Sequence, residues 1–351
     1  MNSLKKLILT GLFAGFATTA LADYTMIVPQ KVGGGTAVWA EIIAKELEKK
    51  LGEPVVIDYR PGARDIPGFN DFETEYQNDP KVIMVSHGGN AESFLQEEVL
   101  YDYNNYRPVG MMNLDIIVAK RKDVDVYNNP IAFSAGSGMT PEAMAMTMLI
   151  CGPDMATDQY IDCFNEKISW VKGFDGGERR LAFKRGELSA TRETPAAYKK
   201  HVESDEIAEM WFTHGIIGPD MTRLDDPEYP GYRFEDVFKN KWGVEPAGDF
   251  YESYALVRAF RDGFQKALWM GKNSEYADDV IKALNEMVQD PESNAAIEKD
   301  AGKYPWVIGE EAEVFSQQIL SLVKEQPLKD LVAFSEKALG LESVYKPQLV
   351  K

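Results

Sequence analysis

The chain has 351 residues, of which 56 are acidic and 38 are basic, and its formal net charge is −18. Hydrophobic residues make up 44% of the sequence and aromatic residues 11%, which excludes a disordered chain and allows one large or two ordinary domains. The acidic excess argues against nucleic-acid binding and against docking on anionic lipid, because both need a clustered basic surface.

The N-terminus has the pattern of a secretory signal peptide. Two lysines precede an apolar stretch, residues 7–16, and the small residues Ala20 and Ala22 mark a cleavage site after Ala22. The apolar stretch is too short to span a bilayer. We therefore expect residues 1–22 to be removed and the mature protein to be an exported, soluble, acidic protein.

The chain contains two cysteines, Cys151 and Cys163. In an exported protein two cysteines at this spacing favour a disulfide, which would stabilise the fold by roughly 3 kcal/mol in the chain-entropy model. Two free buried thiols are the alternative that the sequence leaves open.

Strand and helix patterns alternate along the first half of the chain. Short apolar runs predict strands, and apolar residues at helical spacing from Val38 to Leu51 predict a helix that Gly52 ends. The predicted strands are 24–28, 55–57, 82–85, 109–119, 131–133, 168–171 and 188–191. The succession of strand, glycine-rich loop, helix and strand predicts an α/β fold with mostly parallel sheets.

The second half is predicted to be mainly helical after a long surface connection. That connection, residues 215–248, is rich in proline, glycine and aspartate. The helices that follow it are predicted at 254–270, 275–289, 293–300, 310–324 and 328–339. Two earlier helices are predicted to begin at Thr140-Pro141 and Thr194-Pro195, since threonine is a favourable N-cap and proline a favourable first residue.

Two glycine-rich helix starts, Gly33–Thr36 and Ser134–Thr140, follow predicted strands. Ligands of open α/β sheets bind at the carboxyl ends of the strands, where free backbone N–H groups and helix dipoles favour anions. Plain tight turns have the same composition, and Thr140 is equally suited to be only an N-cap. The pattern therefore predicts an anion-binding cleft and leaves the structural role of each loop open.

The motifs along the mature chain resemble a known family in their order and spacing. The glycine loop at Gly33–Thr36 is followed by Gly52-Glu-Pro-Val-Val-Ile-Asp-Tyr-Arg-Pro-Gly-Ala63, and later by Phe133-Ser-Ala-Gly-Ser-Gly138. Together with shorter matches at 100–109, 172–173, 186–188 and 284–292, they resemble the solute-binding proteins of tripartite tricarboxylate transporters, the Bug or TctC-like family.

The resemblance implies the type II periplasmic binding protein fold. In that architecture two α/β domains with mixed, mostly parallel sheets are joined by two crossing strands and close on a ligand in the cleft between them. Applied to this sequence, residues 23–122 and 210–351 form one domain and residues 123–209 form the other.

The sequence departs from the family pattern at positions near the expected cleft. Ala37 stands where the family usually has aspartate, Trp39 replaces a common leucine, and Glu142 takes the place of a histidine. Thr191-Arg192-Glu193 stands where many members have Phe-Asp-Asn. Helical spacing places Trp39 more naturally in the core than against a ligand.

Backbone N–H groups, hydroxyls and a guanidinium are the groups expected to hold a carboxylate ligand. The predicted ligand-binding residues are Gly33, Gly34, Gly35, Thr36, Ser86, His87, Ser134, Gly136, Ser137, Gly138, Met139, Thr140, Thr191 and Arg192. For Arg192 the alternatives are an ion pair with Glu193 or an exposed position. No catalytic residue, metal ligand or cofactor is predicted, because nucleophile-elbow, phosphate-loop, His-x-x-x-His and Cys-x-x-Cys motifs are absent from the sequence.

The resemblance implies a periplasmic binding protein, not an enzyme, that captures a small organic acid. Its expected partners are that carboxylate ligand, either a di- or tricarboxylate or an aromatic carboxylate, and integral-membrane transporter subunits; we expect a monomer that does not bind nucleic acid. A ligand-sensing protein of a signalling system is the first alternative function, and an exported hydrolase or lyase is the second.

Overall fold

The computed structural model describes residues 23–134, 141–174, 176–218 and 220–350. Strands and helices alternate along this part of the chain. The strands are β1 (Tyr24–Val28), β2 (Val55–Tyr59), β3 (Val82–Ser86), β4 (Tyr106–Met112), β5 (Ile117–Arg121), β6 (Ile131–Phe133), β7 (Ile168–Trp170), β8 (Ala190–Glu193), β9 (Ala208–Thr213), β10 (Ile216–Ile217), β11 (Arg223–Leu224), β12 (Ala267–Gly271) and β13 (Trp306–Ile308). The α-helices are α1 (Gly35–Leu51), α2 (Ile66–Asp71), α3 (Gly88–Glu92), α4 (Pro141–Cys151), α5 (Thr157–Lys167), α6 (Gly176–Arg185), α7 (Pro195–His201), α8 (Phe234–Trp242), α9 (Asp249–Phe264), α10 (Ala277–Gln289), α11 (Pro291–Ala301), α12 (Glu310–Ser321) and α13 (Glu325–Lys337).

Two mixed sheets organise the described residues. One has six strands in the order β13-β4-β12-β3-β1-β2, and the other has five in the order β7-β6-β8-β5-β9. Four of the six strands and four of the five run in the same direction, because only β12 and β13, and in the second sheet only β5, are reversed. The predicted α/β class with mixed, mostly parallel sheets is confirmed.

The chain crosses between the sheets twice, and Asp115 joins the two crossings. The first crossing, residues 113–116, links β4 to β5, and the second, His214 and Gly215, follows β9. The buried Asp115 carboxylate accepts the backbone N–H of His214 at 3.0 Å and that of Gly215 at 2.9 Å. The single strand predicted at 109–119 is therefore wrong: residues 113–116 are buried and alternate polar with apolar like a strand, yet they pass from one sheet to the other.

Two other sequence predictions are corrected by the structure. The helix predicted at 254–270 ends at Phe264, and the apolar run Ala267–Gly271 becomes β12, which lies between β3 and β4. A fully buried strand lacks the alternation that identifies a half-exposed one, so its pattern merges with that of the helix before it. Residues 215–248 are not one long connection either, because they contain the β10–β11 hairpin and α8.

Strand β12 places large apolar side chains in the centre of the six-stranded sheet. Trp269 is fully buried and its indole N–H donates to Ser86 Oγ at 2.9 Å, while the Ser86 hydroxyl donates to the carbonyl of Phe264. Each buried polar group thus has a partner, which removes the cost of burying it unpaired. Ser86 is held inside the core by these bonds.

Cys151 and Cys163 form a disulfide, as predicted, with their Cα atoms 6.3 Å apart. It ties the end of α4 to α5 and closes a loop with a sequence separation of 12. No helix among the described residues is long and apolar enough to cross a membrane.

The disulfide gives a first testable prediction. Reduction, or the paired change Cys151→Ala with Cys163→Ala, should lower the free energy of unfolding by roughly 3 kcal/mol, because the unfolded chain regains the entropy of the open loop. Urea unfolding of the oxidised and reduced protein measures this difference. The double variant is the control, since reductant should leave its midpoint unchanged; equal midpoints for the oxidised and reduced protein would contradict the prediction.

Candidate functional site

Four charged side chains meet between the two sheets and are called here the ionic cluster: Glu92, Glu142, Arg192 and Arg261. Glu92 ends α3, which follows β3, and Arg261 lies in α9 just before β12, so both belong with the six-stranded sheet. Glu142 is in the first turn of α4, which follows β6, and Arg192 is in β8, so both belong with the five-stranded sheet.

The ion pairs of the cluster run both within and between the two halves. Arg192 Nη1 lies 3.1 Å from Glu142 Oε1 and 3.4 Å from Glu92 Oε2. Arg261 Nε lies 3.0 Å from Glu92 Oε2 and 3.8 Å from Glu142 Oε1. Each arginine therefore contacts one glutamate from its own side and one from the other, and the cluster joins the two sheets electrostatically.

Three of the four side chains of the cluster are buried, so the stability of the cluster depends on how its charges are paired. The exposed fraction is 1% for Glu92, 0% for Glu142 and 4% for Arg261. Burial raises the pKa of Glu92 to about 7, although both arginines act in the opposite direction. Burial also opposes ionisation of Glu142, but Arg192 and Arg261 outweigh it and hold the pKa of Glu142 well below its ordinary value. The pKa values of Glu92 and Glu142 are thus shifted in opposite directions.

Several polar atoms around the cluster lack a hydrogen-bond partner. Among the described residues, Ser134 Oγ at the end of β6 and His214 Nε2 are buried without a hydrogen-bond partner, and Arg261 Nε has only its ion-pair contacts with Glu92 and Glu142. The other ring nitrogen of His214 is paired with the Tyr254 hydroxyl at 2.8 Å, so the imidazole is held in place. Unpaired polar atoms inside a protein are costly, and their concentration at one place indicates a site for a polar ligand or ordered water.

The glycine loop before α1 is shaped as an anion site but is occupied by a side chain of the protein. The Gln30 carboxamide oxygen accepts the backbone N–H of Thr36 at 2.8 Å and that of Ala37 at 3.3 Å. Gly34 faces this amide so closely that a Cβ there would lie 2.3 Å from Gln30 Oε1, and Gly33 has a positive φ of 82°. The loop therefore needs glycine at these positions and presents helix N–H groups to an oxygen acceptor.

Lys266 lies beside the same loop, buried between α9 and β12. Its ammonium donates to the Gly35 carbonyl at 3.0 Å and to Thr36 Oγ1 at 3.3 Å. Burial lowers the pKa of Lys266 to about 7, with Asp300 acting in the opposite direction. The lysine holds the start of α1 against the sheet. Trp39 lies in the core below it, fully buried and stacked on Trp306, as its helical spacing predicted.

His87 connects the glycine loop to α3. Its Nδ1 is paired with the Asp65 carboxylate and lies 3.1 Å from the Gly89 nitrogen, while Nε2 faces the Gln30 amide nitrogen at 3.5 Å. His87 is therefore near the glycine loop, whereas Ser86, one residue earlier, points into the core. Adjacent residues of a strand project to opposite faces, which separates their roles.

The structure gathers part of the predicted set at the ionic cluster. Arg192 is in the cluster and pairs with Glu92 and Glu142; Glu193 pairs instead with Arg180 at 2.8 Å. Thr191 is buried beside it, and Phe133 pairs with Ala190 in register, which places Ser134 next to Thr191. The predicted residues Gly136, Ser137, Gly138, Met139 and Thr140 lie outside the described residues.

Sequence reasoning did not select Gln30, Glu92, Arg261 or His214. Glu92 and Arg261 lie on helices among many other charged residues, and only their burial distinguishes them. Gln30 offered a usable signal, because a polar residue between a strand and a glycine loop can reach the N–H groups of the next helix. Glu142 was noted only as a departure from the family pattern.

The Gln30 contact gives a second prediction. Gln30→Ala should lower the free energy of unfolding by about 1 kcal/mol, because two N–H groups at the start of α1 lose their acceptor, as in removal of a helix cap. Gln30→Glu keeps an acceptor oxygen and is the matched control. Urea unfolding compares the three proteins, and equal stability of the alanine variant and the wild type would show that the contact is not stabilising.

Comparisons with known proteins found one curated relative and many solved structures of similar fold. No family model matches the sequence. The chain is 25% identical over 292 residues to Protein BugT of Bordetella pertussis (strain Tohama I), a match that covers 74% of this chain and 88% of that protein.

Solved structures show the same fold at low sequence identity. The periplasmic binding protein BugD superposes with a TM-score of 0.57 and 14% identity over 91% of this chain and 98% of its own. A TctC solute-binding protein from Polaromonas gives 0.55 and 14% over 92% and 100%, and R. palustris Rpa4515 with adipate gives 0.55 and 13% over 91% and 98%. The resemblance to the Bug and TctC-like proteins inferred from the sequence is confirmed.

Proposed function

We propose that this protein is an exported solute-binding protein that captures a small organic acid between its two halves and delivers it to the membrane subunits of a tripartite transporter. The signal peptide, cleaved after Ala22, would direct it to the periplasm. The two halves are the proposed domains, residues 23–122 with 210–351 and residues 123–209. The six-stranded sheet lies within the first of these, and β6, β7 and β8 of the five-stranded sheet lie within the second.

The observation that carries this proposal is the ionic cluster with its unpaired donors. Arg192 and Arg261 lie between the sheets in contact with Glu92, and Ser134 Oγ and His214 Nε2 have no hydrogen-bond partner among the described residues. Guanidinium groups bind carboxylates with directed, charge-assisted hydrogen bonds, which are about twice as strong as neutral ones. A carboxylate ligand supplies acceptor oxygens to Ser134 Oγ and His214 Nε2 and competes with the two glutamates for the guanidinium groups.

The two halves supply different parts of the capture. On the six-stranded side, Arg261 presents a donor; on the five-stranded side, Arg192 and Ser134 do so. A ligand that contacts both sides stabilises the closed arrangement of the two halves and shifts the population toward it. A membrane partner can recognise this closed arrangement. Residues 113–116 and the His214-Gly215 segment are the proposed hinge, because the chain passes between the sheets only there among the described residues.

The relatives support binding over catalysis. BugD and the Polaromonas neighbour are named as binding proteins, and the R. palustris neighbour was solved with adipate. We infer that the present chain is likewise a binding protein and acts as a monomer with no nucleic-acid partner. A ligand sensor that signals to a membrane protein would use the same site, and an exported hydrolase or lyase would require a reacting group in it.

A thermal-shift screen tests the proposed function directly. The mature protein is heated with adipate, malate, succinate, citrate, glutamate and terephthalate, and with sugars and cationic amines as controls. An organic acid at 100 times its Kd should add about 2.7 kcal/mol to the free energy of unfolding. A response confined to sugars or amines would contradict organic-acid binding, and turnover of a bound acid would favour the hydrolase or lyase.

Arg192 gives a third prediction. Arg192→Ala should weaken binding of the acid found in the screen by about tenfold or more, since a charge-assisted hydrogen bond contributes at least about 1.4 kcal/mol. Isothermal titration calorimetry measures the change. Arg185→Ala is the control, because Arg185 is exposed and pairs only with Glu187 among the described residues. Equal affinity of Arg192→Ala and the wild type would remove Arg192 from the site.

A further inference from the structure

The ionic cluster is electrically balanced without a ligand. Arg192 and Arg261 face Glu92 and Glu142, two charges of each sign. The network continues from Arg261 to Asp262 at 3.3 Å and from Asp262 to Arg258 at 3.4 Å. Arg258 in turn contacts Glu235, which also pairs with Arg223. Along this series of contacts, four arginines thus balance four carboxylates.

A balanced buried cluster constrains what can enter it. An anionic ligand that binds Arg192 and Arg261 adds a negative charge to a region that already has equal numbers of both signs. An uncompensated charge inside a protein is strongly unfavourable, because neither water nor a counter-ion surrounds it. Binding therefore requires that the site lose a negative charge at the same time.

We propose that this protein binds its organic acid together with a proton from solvent, and that the carboxylate of Glu92 is the group that accepts the proton. This inference rests on the proposed function and concerns the same site. When the proton adds to Glu92, its carboxylate becomes a neutral carboxylic acid. Arg192 and Arg261 then exchange one protein carboxylate for the carboxylate of the ligand, and the net charge of the cluster is unchanged.

The geometry favours Glu92 over Glu142 as the proton site. Glu142 lies in the first turn of α4, where the helix dipole stabilises a negative charge, and both of its oxygens are within 3.2 Å of Arg192 Nη1. His214 Nε2 is a further neighbour, 3.7 Å from Glu142 Oε1. Glu92 ends α3, and its ion pairs with Arg192 and Arg261 both involve Oε2. The direction of the pKa values agrees, since that of Glu92 is raised and that of Glu142 is lowered.

Other titratable groups surround Glu92 and must be separated from it by experiment. They are Arg192 on β8, Glu142 on α4, Arg261 and Asp262 on α9, His214 on the second crossing, and His87 with Asp65 at the start of α3. Glu92→Gln removes the proposed proton site but keeps its size and hydrogen-bonding capacity. Glu97→Gln makes the same chemical change at an exposed neighbouring position and is the matched control.

The first test needs no ligand. A carboxyl group whose pKa is about 7 in the folded protein and ordinary in the unfolded chain holds its proton more tightly when folded, so stability falls as pH rises between about 4.5 and 7. Thermal unfolding of the wild type and of both variants is measured from pH 5 to pH 8. The melting temperature of Glu92→Gln relative to the wild type should rise across this range by about 2 °C or more, whereas that of Glu97→Gln should not change.

The second test counts protons during binding. Adipate and malate are titrated into each protein at pH 8 in two buffers of different ionisation enthalpy, and the difference in heat gives the protons taken up. We expect up to one proton per bound acid for the wild type and for Glu97→Gln, and none for Glu92→Gln. The affinity of the wild type should fall by up to tenfold per pH unit above pH 7.

The outcomes separate this inference from the proposed function. Binding of adipate or malate without proton uptake overturns proton coupling and leaves organic-acid binding intact. Proton uptake that persists in Glu92→Gln assigns the proton to another group, such as His214, and overturns the role of Glu92. If neither acid binds, the proposed function loses support. The pH dependence of stability still decides whether Glu92 is a proton site. Parallel curves of melting temperature against pH for Glu92→Gln and the wild type would refute that role of Glu92.

Discussion

The pairing of the buried Arg261 and the partly buried Arg192 with two buried glutamates between the sheets is the constraint on which the rest of the structure depends. Burying any one of these charges alone would cost several kcal/mol, whereas together they compensate one another. The compensation works only if α3, α4, β8 and α9 deliver Glu92, Glu142, Arg192 and Arg261 to within 4 Å of one another. Elements that are distant in the sequence are thereby held together at the ionic cluster.

The crossings of the chain provide the second constraint. Asp115 accepts backbone N–H groups of the returning segment, so the two passages between the sheets are held side by side. Burial raises the pKa of Asp115 well above its usual range, and the nearby Asp226 and Asp262 carboxylates act in the same direction. The crossings thus lie next to the ionic network. A ligand that binds at the cluster, or a change of charge there, therefore occurs close to the segments that link the two halves.

The fold was predictable where the local pattern is distinctive. Short β-branched runs bounded by glycine marked β1, β2, β3 and β6, and amphipathic spacing marked the C-terminal helices. The failures occurred at 109–119 and 254–270, where buried apolar residues continue through a change of structure. An apolar run carries no information on whether it stays in one sheet, crosses to another or follows a helix, because periodicity vanishes when every face is buried.

The candidate site was predictable only in part. Arg192 attracted attention because it departs from the family pattern, and the glycine loop because it precedes a helix. Glu92 and Arg261 could not be selected, since a chain with 56 acidic and 38 basic residues offers many equal candidates. Burial alone distinguishes them, and burial follows from the packing of α3 against α9.

The sequence by itself determined the α/β class, the disulfide partners and the resemblance to solute-binding proteins, because local periodicity, cysteine number and motif order are properties of the linear chain. Only the tertiary structure decided that Gln30 occupies the N–H groups of α1 and that Arg192 pairs with Glu92 and Glu142. Those contacts join residues from different elements, in the case of Arg192 across as many as 100 positions. Electrostatic interactions of this kind depend on distance and burial in space, which no local pattern encodes.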